Sequence, residues 1–146
     1  MTNMKNTNID TEAAANKIVE MMLVVITSMF DRWAETIGPR LMMVGAMYQD
    51  VGITPIPDKF LKHEEGTTYT SSDVYELHSY FHTCLHGGIT LANTYYGNQI
   101  LEKFEFLDTI KAAKEVIDDI MKSPMMNKML TAERQMAVTS RASQSS

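Results

Sequence analysis

Cationic side chains are missing from a long central stretch of this chain. Between Lys62 and Lys103, forty residues pass without a single Lys or Arg. Elsewhere the thirteen Lys and Arg are scattered and the net charge is −5, so the sequence has no basic stripe that could follow a phosphate backbone. The composition therefore argues against nucleic acid as a partner.

Cysteine is almost absent as well. The single Cys84 excludes an intrachain disulfide and any zinc site built from several cysteines. The first residues, MTNMKNTNID, are polar and lack the charged start and apolar core of a secretory signal. Both observations favour a reducing compartment, and we predict a cytoplasmic protein.

Long apolar runs are limited to one segment, residues 18–30. This run has thirteen residues and includes Glu20. It is shorter than the roughly 20 apolar residues that a bilayer requires. We therefore predict a buried helix here and no association with a membrane.

Catalytic signatures are also lacking. The sequence has no glycine-rich nucleotide loop, no Gly-Lys-Ser/Thr phosphate loop and no Gly-x-Ser-x-Gly elbow. Cys84 lies close in sequence to His82 and His86, as a nucleophile and its base would. It falls on the apolar stripe of its helix, however, where a thiol is usually inert. We predict a protein without enzymatic activity.

What the sequence does contain is helical periodicity in every long segment. Strict alternation of apolar and polar residues between hairpin turns is absent. We predict an all-α fold, a compact bundle of four to five helices. A single helical domain at 10–137 would lie between flexible segments at 1–9 and 138–146. A chain of 146 residues can bury a core of this kind without disulfides.

The first predicted helix is apolar on nearly all sides. It should begin at Asp10 or Thr11, whose side chains can cap it, and end before Pro39, which cannot continue a helix. A helix with apolar residues all round must be covered all round, so it should be central. In a chain this small, two or three further helices would leave part of the first helix uncovered. We therefore predict a homo-oligomer.

The second helix should start at Pro39 and end at about 49–51. A long connection follows it, with one helical turn predicted at 58–63. Ser72 is the predicted N-cap of the third helix. The pair Gly87-Gly88 should end or bend that helix, since each glycine costs about 1 kcal/mol relative to alanine.

The fourth predicted helix follows Asn98 and ends at Ser123-Pro124. A fifth, methionine-rich helix should span 125–136. The predicted buried face of the fourth helix repeats at helical spacing and consists of Ile100, Phe104, Leu107, Ile110, Ala113, Ile117 and Ile120.

Three histidines form a row on the third helix. His78, His82 and His86 recur every four residues, which places them on one side of the helix, beside its apolar stripe. Imidazoles at this spacing can chelate a divalent transition metal ion. Further ligands would come from the preceding loop, at His63, Glu64 or Glu65.

The alternative interpretation is that these histidines lie at the boundary between core and solvent. The zinc-protease pattern fails, because Ser79 follows His78 and Thr83 follows His82 where a Glu is needed. We therefore expect no metal or other cofactor in the purified protein.

Methionine is abundant, with thirteen residues. Flexible thioethers suit surfaces that accept apolar partners of varying shape, although they also serve as ordinary core filling. The first and last helices carry the residues that we predict at an interface: Met21, Met22, Val25, Met29, Met125, Met126 and Met129.

Together these patterns predict a small helical protein that forms homo-oligomers and binds other proteins through methionine-rich surfaces. Its role would be that of an assembly component, an adaptor or an inhibitor. The alternative is a helical bundle that binds a metal or small ligand through the histidine row.

Overall fold

The computed structural model describes residues 2–37, 56–61, 68–96 and 100–145. All regular elements in these ranges are helical. They are α1 (Thr2–Ile37), α2 (Asp58–Leu61), α3 (Ser71–Leu91), α4 (Ile100–Met121) and α5 (Pro124–Ser145), with a π-helical segment at Ala92–Tyr96 directly after α3. The predicted all-α bundle of four to five helices is confirmed.

The central element is α1, as the sequence predicts. Helices α3, α4 and α5 all pack against it. Its 36 residues extend about 54 Å at ~1.5 Å per residue, so it is long enough to contact each of them along most of their length. Its core side chains are Ala14, Ala15, Ile18, Val19, Met22, Ile26, Met29 and Trp33.

The ends of the outer helices differ from the prediction. α1 begins at Thr2 and not at Asp10, and α5 continues to Ser145 instead of ending at 136. The backbone is therefore helical at 2–9 and 138–145, where the sequence predicts flexible segments. Neither stretch contains glycine or proline, and extending an existing helix costs far less than starting one.

The start of α3 corrects another prediction. The N-cap is Thr70 and not Ser72. The backbone N–H of Asp73 donates to Thr70 Oγ1 at 3.3 Å, and the N–H of Thr70 donates to the Asp73 carboxylate at 2.9 Å. This reciprocal pair is a capping box, which satisfies two backbone donors at once.

The short helix α2 is held against this end of α3. Phe60 is buried and stacks on Tyr69, with ring centroids 5.7 Å apart. Lys59 donates to Asp73 at 3.1 Å and also to Glu76. The predicted turn at 58–63 is thus helical at Asp58–Leu61, and it packs on the bundle through one aromatic side chain.

The glycine pair does not end α3, which was one of the two predicted outcomes. The helix continues to Leu91, and both glycines are buried. A Cβ atom at Gly88 would lie 2.9 Å from Ile110 Cδ1 and 3.0 Å from Trp33 Cη2. The missing side chain therefore allows α3 to approach α1 and α4 closely, and that packing compensates for the low helix propensity of glycine.

The predicted buried face of α4 is correct in its C-terminal half, at Ile110, Ala113, Ile117 and Ile120. It is wrong at the start, where Ile100 and Phe104 are exposed. Phe106 is buried there instead, because its ring stacks on Trp33 with centroids 4.5 Å apart.

The second predicted helix, the cap at Asn98 and the loop residues His63, Glu64 and Glu65 lie outside the described residues.

Candidate functional site

The structure brings together two of the three predicted metal ligands. The Nε2 atoms of His78 and His82 lie 3.2 Å apart, and the two rings meet edge to face. Both side chains are half-buried on α3. At this distance one imidazole can donate a hydrogen bond to the other, or both can bind one ion.

The surroundings of His78 favour its neutral imidazole. Burial, together with the neighbouring His82, lowers the pKa of His78, while the negative charge of Asp118 on α4 acts in the opposite direction. The pKa of Asp118 is itself lowered, mainly by a hydrogen bond that Lys114 donates at 2.7 Å. The lowered pKa of His78 favours the neutral imidazole, which can accept a hydrogen bond or bind a metal ion.

His86 does not extend the pair into a site of three. It is exposed, one turn further along α3. Among the described residues, no group of three or more His, Cys, Asp or Glu side chains is arranged to hold a metal ion.

The predicted interface residues divide into two sets. Three of them, Met21, Val25 and Met125, are partly buried and reach the surface. The other four belong to the core of the single chain and fill space between helices, as the alternative interpretation of methionine holds: Met22, Met29, Met126 and Met129.

A second surface feature is an apolar groove between α1 and α4, which we call the α1–α4 groove. Its volume is about 250 Å³ and all its lining residues are uncharged: Val24, Val25, Ser28, Met29, Thr109, Ala112, Ala113 and Val116. Val24 on the central helix is 67% exposed, and Val116 across the groove is 45% exposed.

Sequence reasoning found only the α1 side of this groove. On α4, Thr109, Ala112 and Val116 follow one another at spacings of three and four. Such a row of small and β-branched residues could have predicted the α4 side of the groove, because small side chains on one helix face leave room for a close neighbour.

Cys84 is placed as a core residue. Burial raises the pKa of its thiol, although a hydrogen bond with Tyr80 has the opposite effect. Burial likewise raises the pKa of Tyr80. The reactive thiolate is therefore disfavoured at this position.

The length and composition of α1 also meet the requirements of a membrane span. Thr11–Trp33 is 23 residues long and apolar enough to cross a bilayer. The same stretch includes the α1 core residues given above, from Ala14 to Trp33. A core helix passes this test as readily as a spanning helix does.

Comparison of the chain with protein-family models, with curated proteins and with solved structures found no match.

Proposed function

We propose that this chain is a small cytoplasmic protein that acts by binding proteins, first of all a second copy of itself, and that it has no catalytic activity. The observation that carries the proposal is the α1–α4 groove. It lies on the central helix of the bundle, its lining is free of charge, and Val24 at its edge is two-thirds exposed.

The energetics favour a covered groove. Burying one valine side chain contributes about 1.5–3 kcal/mol, and a partner would cover Val24 and Val116 together. Between them, Ser28, Thr109 and Ala112 are small. An incoming helix could approach within the ~8–10 Å separation of packed helices.

Light scattering coupled to size exclusion tests the proposal at tens of micromolar protein. We expect an oligomer for the wild type. Val24→Asp and Val116→Asp should give monomers that keep the same circular dichroism, because both positions are exposed in the single chain. Ser79→Asp, at an exposed position on α3, is the matched control and should leave the oligomer intact. A monomeric wild type would contradict the proposal.

A second candidate function is the binding of a divalent transition metal by the histidine pair. The 3.2 Å between the two Nε2 atoms favours it, since nitrogens about 2.0–2.1 Å from a tetrahedral zinc ion lie roughly 3.3 Å apart. The described residues supply two ligands at this position, so a bound ion would need further ligands from elsewhere, such as water.

Thermal melts with zinc or nickel separate the two candidates. A metal that binds the folded state stabilises it by about 2.7 kcal/mol at a hundred times its dissociation constant. Under the protein-binding proposal, we expect no stoichiometric metal in the purified protein and little shift on adding it. A stoichiometric metal that is lost in His78→Ala/His82→Ala but kept in His86→Ala would favour the second candidate.

A further inference from the structure

We infer that the occupant of the α1–α4 groove is α1 of a second copy, packed antiparallel to the first about a two-fold axis at Val24. This inference rests on the proposed self-association and specifies its geometry. Three observations carry it: the exposed line of residues on α1, the charges on that line, and the shape of the groove.

The first observation is the line of residues. Lys17 and Asp31 lie seven positions before and seven positions after Val24. Seven residues are nearly two turns of an α-helix, so each returns to within about 20° of the direction of Val24. All three side chains are exposed, and together they define the open side of α1.

The charges on this line select one orientation. In an antiparallel pair centred on Val24, Lys17 of each copy lies opposite Asp31 of the other, so two ion pairs form by symmetry. A parallel pair in the same register would place lysine opposite lysine and aspartate opposite aspartate. Within the described residues, neither Lys17 nor Asp31 has an ion-pair partner in its own chain.

The neighbouring positions agree with the antiparallel arrangement. By the same symmetry, Glu20 faces Ser28 of the other copy, and Met21 faces Thr27. No position on this line brings two like charges together. A parallel pair would also oppose the two copies of Glu20.

The shape of the surface is self-complementary. A two-fold interface uses the same patch on both copies, so each patch must supply both a projection and a recess. Val24 projects, and the recess beside it is floored by the small side chains Ser28, Thr109 and Ala112. With Val24 of both copies at the axis, this recess leaves room for α1 of the other copy to pack beside α4.

Cysteine cross-linking tests the position of the axis. In the full chain, Val24→Cys should form a disulfide-linked dimer under mild oxidation, because a residue on a two-fold axis meets itself. The wild type should not, since Cys84 is buried. Ser79→Cys, exposed on α3, is the matched control and should remain monomeric on a non-reducing gel. Cross-linking at position 79 but not at 24 would overturn the inference.

Charge reversal tests the orientation. Lys17→Asp and Asp31→Lys should each weaken dimerisation about tenfold, because two symmetric pairs turn from attraction to repulsion. The double variant Lys17→Asp/Asp31→Lys should restore the wild-type dissociation constant, measured by sedimentation equilibrium. Circular dichroism checks that each variant is folded.

The outcomes distinguish the antiparallel geometry from the proposed self-association on which it rests. A monomeric wild type would overturn both. An oligomer that is insensitive to both single reversals would overturn the antiparallel pairing and leave self-association standing. Weakening by each single reversal, with recovery in the double variant, would support the geometry.

Discussion

At the scale of single residues, Gly88 lies where α3 meets both Trp33 of α1 and Ile110 of α4. Gly88→Ala gains about 1 kcal/mol of helix propensity, but overpacking a filled core usually costs about 1–3 kcal/mol. Trp33 is fully buried and stacks on Phe106, so it has little room to move. We expect a net destabilisation of about 1 kcal/mol in urea denaturation.

The variant Ile110→Val provides the control, because it removes the Cδ1 atom that the new methyl group would meet at 2.9 Å. Alone it should cost about 0.5–1.5 kcal/mol. Combined with Gly88→Ala it should cost less than the sum of the two single variants. Strict additivity would show that the glycine is not needed for this contact.

His78 carries a prediction about pH. Its pKa is lowered in the folded state, so the unfolded chain binds more protons once the pH falls below ~6.5. The free energy of unfolding should therefore decrease as the pH is lowered from about 6.5 towards the pKa of His78 in the folded state. Above that range, His78 should not change the stability. The measurement is urea denaturation as a function of pH.

His78→Gln should flatten this part of the profile. His86→Gln, at an exposed position, should leave it unchanged. Asp118 also makes the stability depend on pH, but in a lower pH range. Because the pKa of Asp118 is lowered, its effect falls below the usual carboxyl pKa. An unchanged profile in His78→Gln would contradict the assignment.

Sequence spacing was sufficient to find the histidine pair, because residues four apart on a helix are always neighbours. The same spacing separates His82 from His86, so spacing could not show that the three histidines form no metal-binding group among the described residues. The groove was half found for a similar reason. Its α1 side follows from one apolar helix, whereas Val116 joins it only through tertiary packing.

At the scale of the elements, the start of α3 depends on Thr70. Thr70→Ala should cost about 1 kcal/mol, because it removes the acceptor of the Asp73 backbone N–H. Ser72→Ala, within the first turn and exposed, is the matched control and should have little effect. Equal losses in the two variants, measured by urea denaturation, would argue against the capping box.

The existence of the helices could be predicted, but their ends and registers could not be predicted throughout. Both Thr70 and Ser72 have suitable cap chemistry, and Asp73 decides between them through the reciprocal bond to Thr70. In the first half of α4, the stacking of Phe106 on Trp33 overrides the periodicity that favoured Phe104. Both choices depend on geometry that helical periodicity alone does not specify.

At the scale of the whole molecule, the last turns of α5 should contribute little to stability. The described core residues of this helix are Met126, Met129 and Ala132, all in its first half. Deleting residues 139–146 should leave the melting temperature nearly unchanged, measured by circular dichroism. A drop of several degrees would show that the C-terminal turns pack on the bundle.

The position of α1 has a consequence for synthesis on the ribosome. This first helix packs extensively against α5, the last one, and Thr11 contacts Met136 at the far end of the chain. At ~5–20 residues per second, α1 emerges several seconds before its final partner is made. Its apolar side therefore stays uncovered while the chain is still growing, and a chaperone or another nascent copy has time to bind it first.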